Sequence, residues 1–194
     1  MRRVIDWAKN NIVAIILVLC FSIIYIISQV TGTAFEHWGS TSMEYLHAQY
    51  FRWLTCIFLH FNFEHIFFNS VALLAIGSLI SPFIGKGRTL LLFIVCGILA
   101  EIACSVVINY SQPVYAGGSS GGIFALIATF MVCYLRFPTR FALKWYRPDV
   151  IAVVIFFIFA NDNIESFLTH VFGFTAGIVV AFLMILSGLI SDKD

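Results

Sequence analysis

Apolar residues gather in six runs along this 194-residue chain, at 11–30, 63–81, 89–108, 119–135, 150–160 and 167–190, and polar residues gather between them. A helix needs about 17–25 apolar residues to cross the ~30 Å hydrocarbon core of a bilayer, and five of the six runs reach that length. The fifth, with 11 residues, falls short and has to cross tilted, extended by its neighbours or in thinned bilayer. The first follows Arg2, Arg3 and Lys9, as the core of a secretory signal would. Such a core holds about 7–15 residues before a small-residue cleavage site, so a run close to 20 reads as a retained span. The pattern predicts an all-α, polytopic membrane protein, a bundle of six transmembrane helices in a single membrane domain over residues 1–194.

The longest stretch between runs, residues 31–62, carries Trp38, Tyr45, Tyr50, Phe51, Trp53 and Phe58 interleaved with Glu36, His37, Glu44, His47 and Arg52. Rings that are half buried while polar ends stay wet suit the membrane interface, so this loop is expected to lie on or in one leaflet. Loops of about thirty residues in compact proteins are, as a class, functional or folded in their own right.

Composition agrees with the pattern. Hydrophobic residues make up 61% of the chain and charged residues 11%, with a mean hydropathy of +0.98, so no separate soluble domain is left over. Ten residues ahead of the first run leave no room for an N-terminal domain. The net charge of +1 gives no indication of a nucleic-acid partner. Cys20, Cys56, Cys96, Cys104 and Cys133 form no CxxC pair, and four lie inside apolar runs; they read as small buried hydrophobes rather than disulfides or metal ligands. Placing residues 1–10, 82–88, 136–149 and the tail Asp192-Lys193-Asp194 in the cytoplasm puts ten of the eleven Lys and Arg inside, with only Arg52 outside. Both termini are then cytoplasmic.

That orientation gives the second, fourth and sixth runs the same direction, from outside to inside. Asn69 precedes Lys86 by seventeen residues and Ser120 precedes Arg136 by sixteen. At 1.5 Å per residue both sit ~24–26 Å above the inner charges, inside the membrane near its outer face. His65 and His170 belong to the same level. Polar side chains at that depth mark a water-filled cavity or an active site unless they only bond helix to helix.

The chain is organised around Ala116-Gly117-Gly118-Ser119-Ser120-Gly121-Gly122-Ile123-Phe124-Ala125-Leu126, where glycines lead into an apolar helix and a hydroxyl is presented at its start. His170, Gly173 and Gly177 share one helix face, and Gly121, Ala125 and Ala128 form a smooth face on the fourth run. Two such faces bring backbones together and would carry His170 within reach of Ser120. A serine is a poor nucleophile until a base takes its proton, and His170 is the candidate base. His65 and Asn69, four residues apart on the second run, would stabilise an oxyanion together with the Ser120 backbone N–H, or else form a structural polar cluster with His60. Glu101 is the one carboxylate deep in a run, and Asp162 and Glu165 lie in a loop, so the expectation is a Ser-His dyad.

Gly118-Ser119-Ser120-Gly121 matches the GxSG motif of the rhomboid intramembrane serine proteases, and over its six spans the chain resembles the bacterial GlpG type. The resemblance makes Ser120 the nucleophile, with Ser119 a formal alternative, and His170 with Gly173 and Gly177 the catalytic-histidine motif. His60, His65 and Asn69 resemble the family's HxxxxHxxxN pattern, whose last two residues serve the oxyanion. Phe51-Arg52 looks like its Trp-Arg pair with Phe in place of Trp, and Phe124 stands where many members place a Tyr against the histidine. The resemblance gives Gly118, Gly121, Gly173, Gly177, Arg52 and His60 structural roles. It implies cleavage of single-pass membrane proteins near the outer edge of their spans in a bacterial inner membrane, without metal or nucleotide cofactor.

Other classes fit less well. A metalloprotease would need something like HExxH, although His60, His65 and His170 could in principle ligate zinc; an aspartyl protease needs two carboxylates in spans. A transporter would use the same polar cavity, but no inverted repeat is evident. The alternative from a different class is a catalytically silent rhomboid-like module that binds membrane proteins.

Overall fold

Helix begins earlier in the chain than the apolar pattern predicts. In the computed structural model, which describes residues 2–109, 112–141, 144, 146–160 and 163–191, the residues ahead of the first run form α1 (Arg2–Asn10), followed by α2 (Ile12–Thr31). Asp162 and the tail Asp192-Lys193-Asp194 lie outside the described residues. Asn11, between the two helices, is fully buried and donates from Nδ2 to the Leu74 carbonyl at 2.8 Å, a partner that hydrocarbon could not supply, while its Oδ1 is buried without one. Gly77 makes room for it, since a Cβ there would lie 2.5 Å from Asn11 Oδ1.

The predicted interfacial loop is folded. It holds α3 (Ala34–Trp38), a 3₁₀ turn at Met43–Tyr45, α4 (Arg52–Thr55) and a second 3₁₀ turn at Cys56–Phe58. Arg52 ties it together: its Nη1 donates to the carbonyls of Glu36 at 2.7 Å and Gly39 at 3.1 Å, and its Nε donates to Gln49 Oε1 at 2.7 Å. Ser40 pairs with Ala116 in an antiparallel bridge through bonds of 2.9 and 2.7 Å. The loop is thereby fastened to the strand of chain that delivers Ser120.

The remaining runs form α5 (Phe63–Ile84), α6 (Lys86–Val107), α7 (Ser120–Arg136), α8 (Pro148–Phe159) and α9 (Ile164–Leu186). The architecture is an all-helical polytopic bundle. By length and apolarity α2, α5, α6 and α9 suffice to cross a membrane, while α7 with 17 residues and α8 with 12 are shorter. The loop expected at 82–88 shrinks to one residue. Pro82 removes a single helical hydrogen bond so close to the end that α5 continues to Ile84, and Gly85, at φ +88°, turns directly into α6. At the other end α9 stops at Leu186, short of the expected 190. There Gly188, at φ +74°, folds the chain back so that the Ile190 N–H bonds the Met184 carbonyl at 3.1 Å.

The centre of the bundle is α7, buried on every side from Gly121 to Phe130 and packed on α5, α6 and α9. A Cβ on Gly122 would lie 2.6 Å from the Phe93 carbonyl of α6, and one on Gly121 would lie 3.1 Å from Ala100 of α6 and 3.2 Å from Thr169 of α9. On α9, a Cβ at Gly173 would strike the Gly121 carbonyl and one at Gly177 the Ala125 carbonyl. Thr129 Oγ1 donates to the Ala125 carbonyl at 2.9 Å and lies 3.4 Å from that of Gly177. All five cysteines are free thiols, four of them buried.

Because those α9 Cβ positions meet backbone rather than flexible side chains, Gly177→Ala and Gly173→Ala should each push α7 and α9 apart. The expected loss is at least the ~1–3 kcal/mol of an overpacked core. Unfolding in mixed micelles followed by circular dichroism measures it, with Gly87→Ala, a position open to space, as the comparison.

Candidate active site

The hydroxyl expected at the start of α7 is placed by the residues ahead of it. Gly118 has φ +151° and donates its N–H to the Cys56 carbonyl at 3.0 Å. A Cβ at Gly118 would lie 3.0 Å from both Cε1 and Nε2 of His65, so its backbone conformation and the neighbouring ring both require glycine. Ser119 is the N-cap residue and fully buried; Ser120 opens the helix, half buried, with its Oγ 3.8 Å from the same Cβ position. Of the two serines only Ser120 lines the cavity.

His170 comes from α9, 3% exposed, with its ring stacked on Phe124 of α7 at a centroid distance of 4.2 Å and 12° between planes. Phe124 in turn meets Phe156 and Phe157 of α8 at 5.5 and 5.4 Å. The Gly121–Gly173 contact lies one residue beyond Ser120 and three beyond His170, so the closest approach of the two backbones sits beside the two side chains.

The third contribution is the first two turns of α5. Asn62 caps the helix by accepting the His65 N–H at 2.8 Å. His65 is half buried, stacked on Phe61 and edge-on to His60. Asn69 is 2% exposed: its Nδ2 donates to the His65 carbonyl at 2.8 Å, and its Oδ1 accepts from Ser119 Oγ at 3.1 Å. His60, in the loop before α5 and fully buried, brings Nε2 to 3.2 Å from Ser119 Oγ. Burial, with His65 close by, holds the His60 imidazole below its ordinary pKa, so it is neutral.

These groups open on one cavity of about 490 Å³, which His65, Asn69, Gly118, Ser120 and His170 all line. Its size is that of a small-molecule or peptide-segment site. The sequence did not place Glu101 there: it is 4% exposed, next to Ser40 and Cys56, and on the cavity wall. Nor did it bring in Thr169 and Ser166 from α9, or Glu165, which was expected in a loop but lies in the first turn of α9; Ile155, Phe156 and Phe159 of the short fifth run, α8, also line the cavity. The signal for Glu101 was present, a lone carboxylate in an apolar run, but its neighbours come from a loop whose fold no periodicity encodes. Arg52 and His60 lie outside the cavity lining, as do Gly121, Gly173 and Gly177. Among the described residues no three His, Cys, Asp or Glu side chains are grouped to hold a metal ion.

The family model for the rhomboid domain matches residues 47–187. The chain is 31% identical over 136 residues to the rhomboid protease GluP of Bacillus subtilis (strain 168), covering 69% of this chain and 26% of that protein. It is 28% identical over 142 residues to the putative rhomboid protease YdcA of the same strain, 71% and 68% of the two chains. It is also 27% identical over 175 residues to the rhomboid protease GlpG of Serratia proteamaculans (strain 568), 86% and 60%. The matched region thus spans from about a quarter to about two thirds of these relatives.

Gly118→Ala should strain the backbone by ~1–3 kcal/mol and displace the His65 ring. The expected outcome is at least a tenfold slower reaction of Ser120 with a serine-reactive fluorophosphonate, read by gel fluorescence, with helical content retained by circular dichroism.

Proposed function

The chain belongs to the rhomboid family, and we propose that it is an intramembrane serine protease that cuts single-pass membrane proteins near the outer face of the membrane through a Ser120–His170 dyad. What carries this reading is that Ser120, His170, His65 and Asn69, from three helices distant in sequence, line one cavity. In the proposed reaction His170 takes the Ser120 proton as Oγ attacks a carbonyl of a locally unwound substrate helix. The His65 side chain, the Asn69 amide and the Ser120 backbone N–H stabilise the oxyanion. His170 then protonates the leaving amine, and water hydrolyses the acyl-enzyme by the reverse sequence of proton transfers. The chemistry uses no cofactor or metal and no nucleic acid; the partners are the membrane-protein substrate and the surrounding lipid. The charge distribution supports both termini in the cytoplasm, and the similarity to rhomboid proteases of bacteria supports an inner-membrane location.

Access to the cavity is assigned to α8. Its inner end is held, since Asp149 accepts from Ser78 Oγ of α5 at 3.0 Å and pairs with Arg147. Its other end contributes Ile155, Phe156 and Phe159 to the cavity, and Phe156 alone of its residues is buried. A short helix fixed at one end and loosely covered at the other can swing aside from α5.

The test is cleavage of a single-pass reporter in liposomes. Ser120→Ala and His170→Ala should each lose at least ~10³-fold in turnover, and His65→Ala or Asn69→Ala ~10²-fold. Fluorophosphonate should label the native chain and not Ser120→Ala, and a chelator should leave turnover unchanged. Full cleavage by Ser120→Ala would sink the mechanism; a native chain that binds the reporter, cuts nothing and resists labelling would be a silent binding module.

A disulfide engineered between the cavity-facing ends of α5 and α8 should suppress reporter cleavage at least tenfold and restore it on reduction. Unchanged turnover in the oxidised form would remove α8 as the gate.

A further inference from the structure

Serine is a favoured N-cap because its hydroxyl accepts a first-turn N–H. The caps of α5 and α9 work that way, Asn62 on His65 N–H and Asn163 on Ser166 N–H, both at 2.8 Å. Ser119 does not cap α7. Its backbone is in the right-handed helical region, φ −79° and ψ −4°, and its side chain makes no cap bond. Its hydroxyl, fully buried, lies between Asn69 Oδ1 at 3.1 Å and His60 Nε2 at 3.2 Å.

The bonding directions follow from counting protons. A hydroxyl has one hydrogen, and Asn69 Oδ1 can only accept, so Ser119 donates to Asn69 and accepts from His60. His60 is therefore the neutral tautomer protonated at Nε2. Its Nδ1 is buried without a partner, where an unpaired lone pair is less costly than an unpaired N–H. The Asn69 carboxamide is then held at both ends, Oδ1 by Ser119 and Nδ2 by the His65 carbonyl at 2.8 Å. Turned over, it would set Oδ1 against the His65 carbonyl oxygen and leave the Ser119 hydroxyl hydrogen without its Asn69 acceptor. Held as it is, one amide N–H remains for the cavity that Asn69 lines.

We infer that Ser119 is a positioning residue which, backed by His60, fixes the Asn69 carboxamide in the orientation that keeps an N–H at the oxyanion. This rests on the proposed hydrolysis and on the assignment of Asn69 to its oxyanion. Ser119 touches neither substrate nor Ser120 Oγ in this role; it acts through Asn69.

The experiment is a double-mutant cycle on the single-pass reporter, with kcat and KM measured for the native chain, Ser119→Ala, Asn69→Ala and the pair. Ser119→Ala should lower kcat about tenfold with KM within twofold, and the pair should be no slower than Asn69→Ala alone. Ser119→Cys, which keeps a weaker donor at the same place, should fall between native and Ser119→Ala; it also carries the test if Ser119→Ala does not fold. Fluorophosphonate labelling rates, which do not depend on docking a membrane substrate, should follow the same order. Native kcat in Ser119→Ala, or losses that multiply in the pair, would overturn the inference while leaving the dyad intact. Unchanged kcat in Asn69→Ala would remove the oxyanion assignment and the inference with it. Cleavage by Ser120→Ala would remove the whole mechanism.

Discussion

The backbone contact between α7 and α9 is the constraint on which the site depends. In a bilayer the lipid is as apolar as leucine, so helices associate by close packing and by hydrogen bonds rather than by expulsion of water. Glycine at 173 and 177 removes every atom that would hold the two helices apart, and the carbonyls of Gly121 and Ala125 occupy the space. The stacked pair Phe124 and His170 spans the same interface, so the contact also sets the orientation of the imidazole. Displacing either helix would alter the relation between Ser120 and His170 without touching either residue.

Hydrogen-bond satisfaction is the second constraint, and it explains how so many polar side chains persist at this depth. Arg52 and the Ser40–Ala116 bridge fasten the segment between α2 and α5 to the approach of α7. Asn11 meets Leu74, and His60, Ser119 and Asn69 form a continuous series ending on the His65 carbonyl. Such groups are expensive in a low dielectric unless partnered, and once partnered they are rigid. Rigidity is what an oxyanion site needs, because donors fixed before the reaction require no rearrangement during it.

The bundle is not uniformly held. α7 is enclosed on all sides, whereas α8 buries only Phe156 and owes its fixed end to Asp149. Close packing around the serine and histidine, beside a loosely covered helix on the cavity rim, is the distribution that the proposed cleavage of a large substrate would require.

Much of this was legible in the chain itself. Apolar runs gave the helices because backbone in hydrocarbon must bond internally, and the glycine spacing on the fourth and sixth runs gave the face on which they meet. Helix ends were less legible. Pro82 suggested a break where the structure has only a lost bond near a terminus, and Gly85 alone makes the turn. The adjacent serines could be ranked only by resemblance, because hydroxyls one residue apart look alike in sequence while their burial depends on neighbours from other segments. Ser119 turns toward Asn69 and His60, Ser120 toward the cavity, and Glu101, on α6, meets Ser40 and Cys56 from a segment with no periodic signal. Composition and periodicity, which are local, determined the solvent, the helices and the smooth faces. Which hydroxyl is exposed, which way an amide points and which carboxylates join the wall were decided only by tertiary contacts between residues far apart in the chain, fifty positions for Ser119 with Asn69 and 59 for Ser119 with His60.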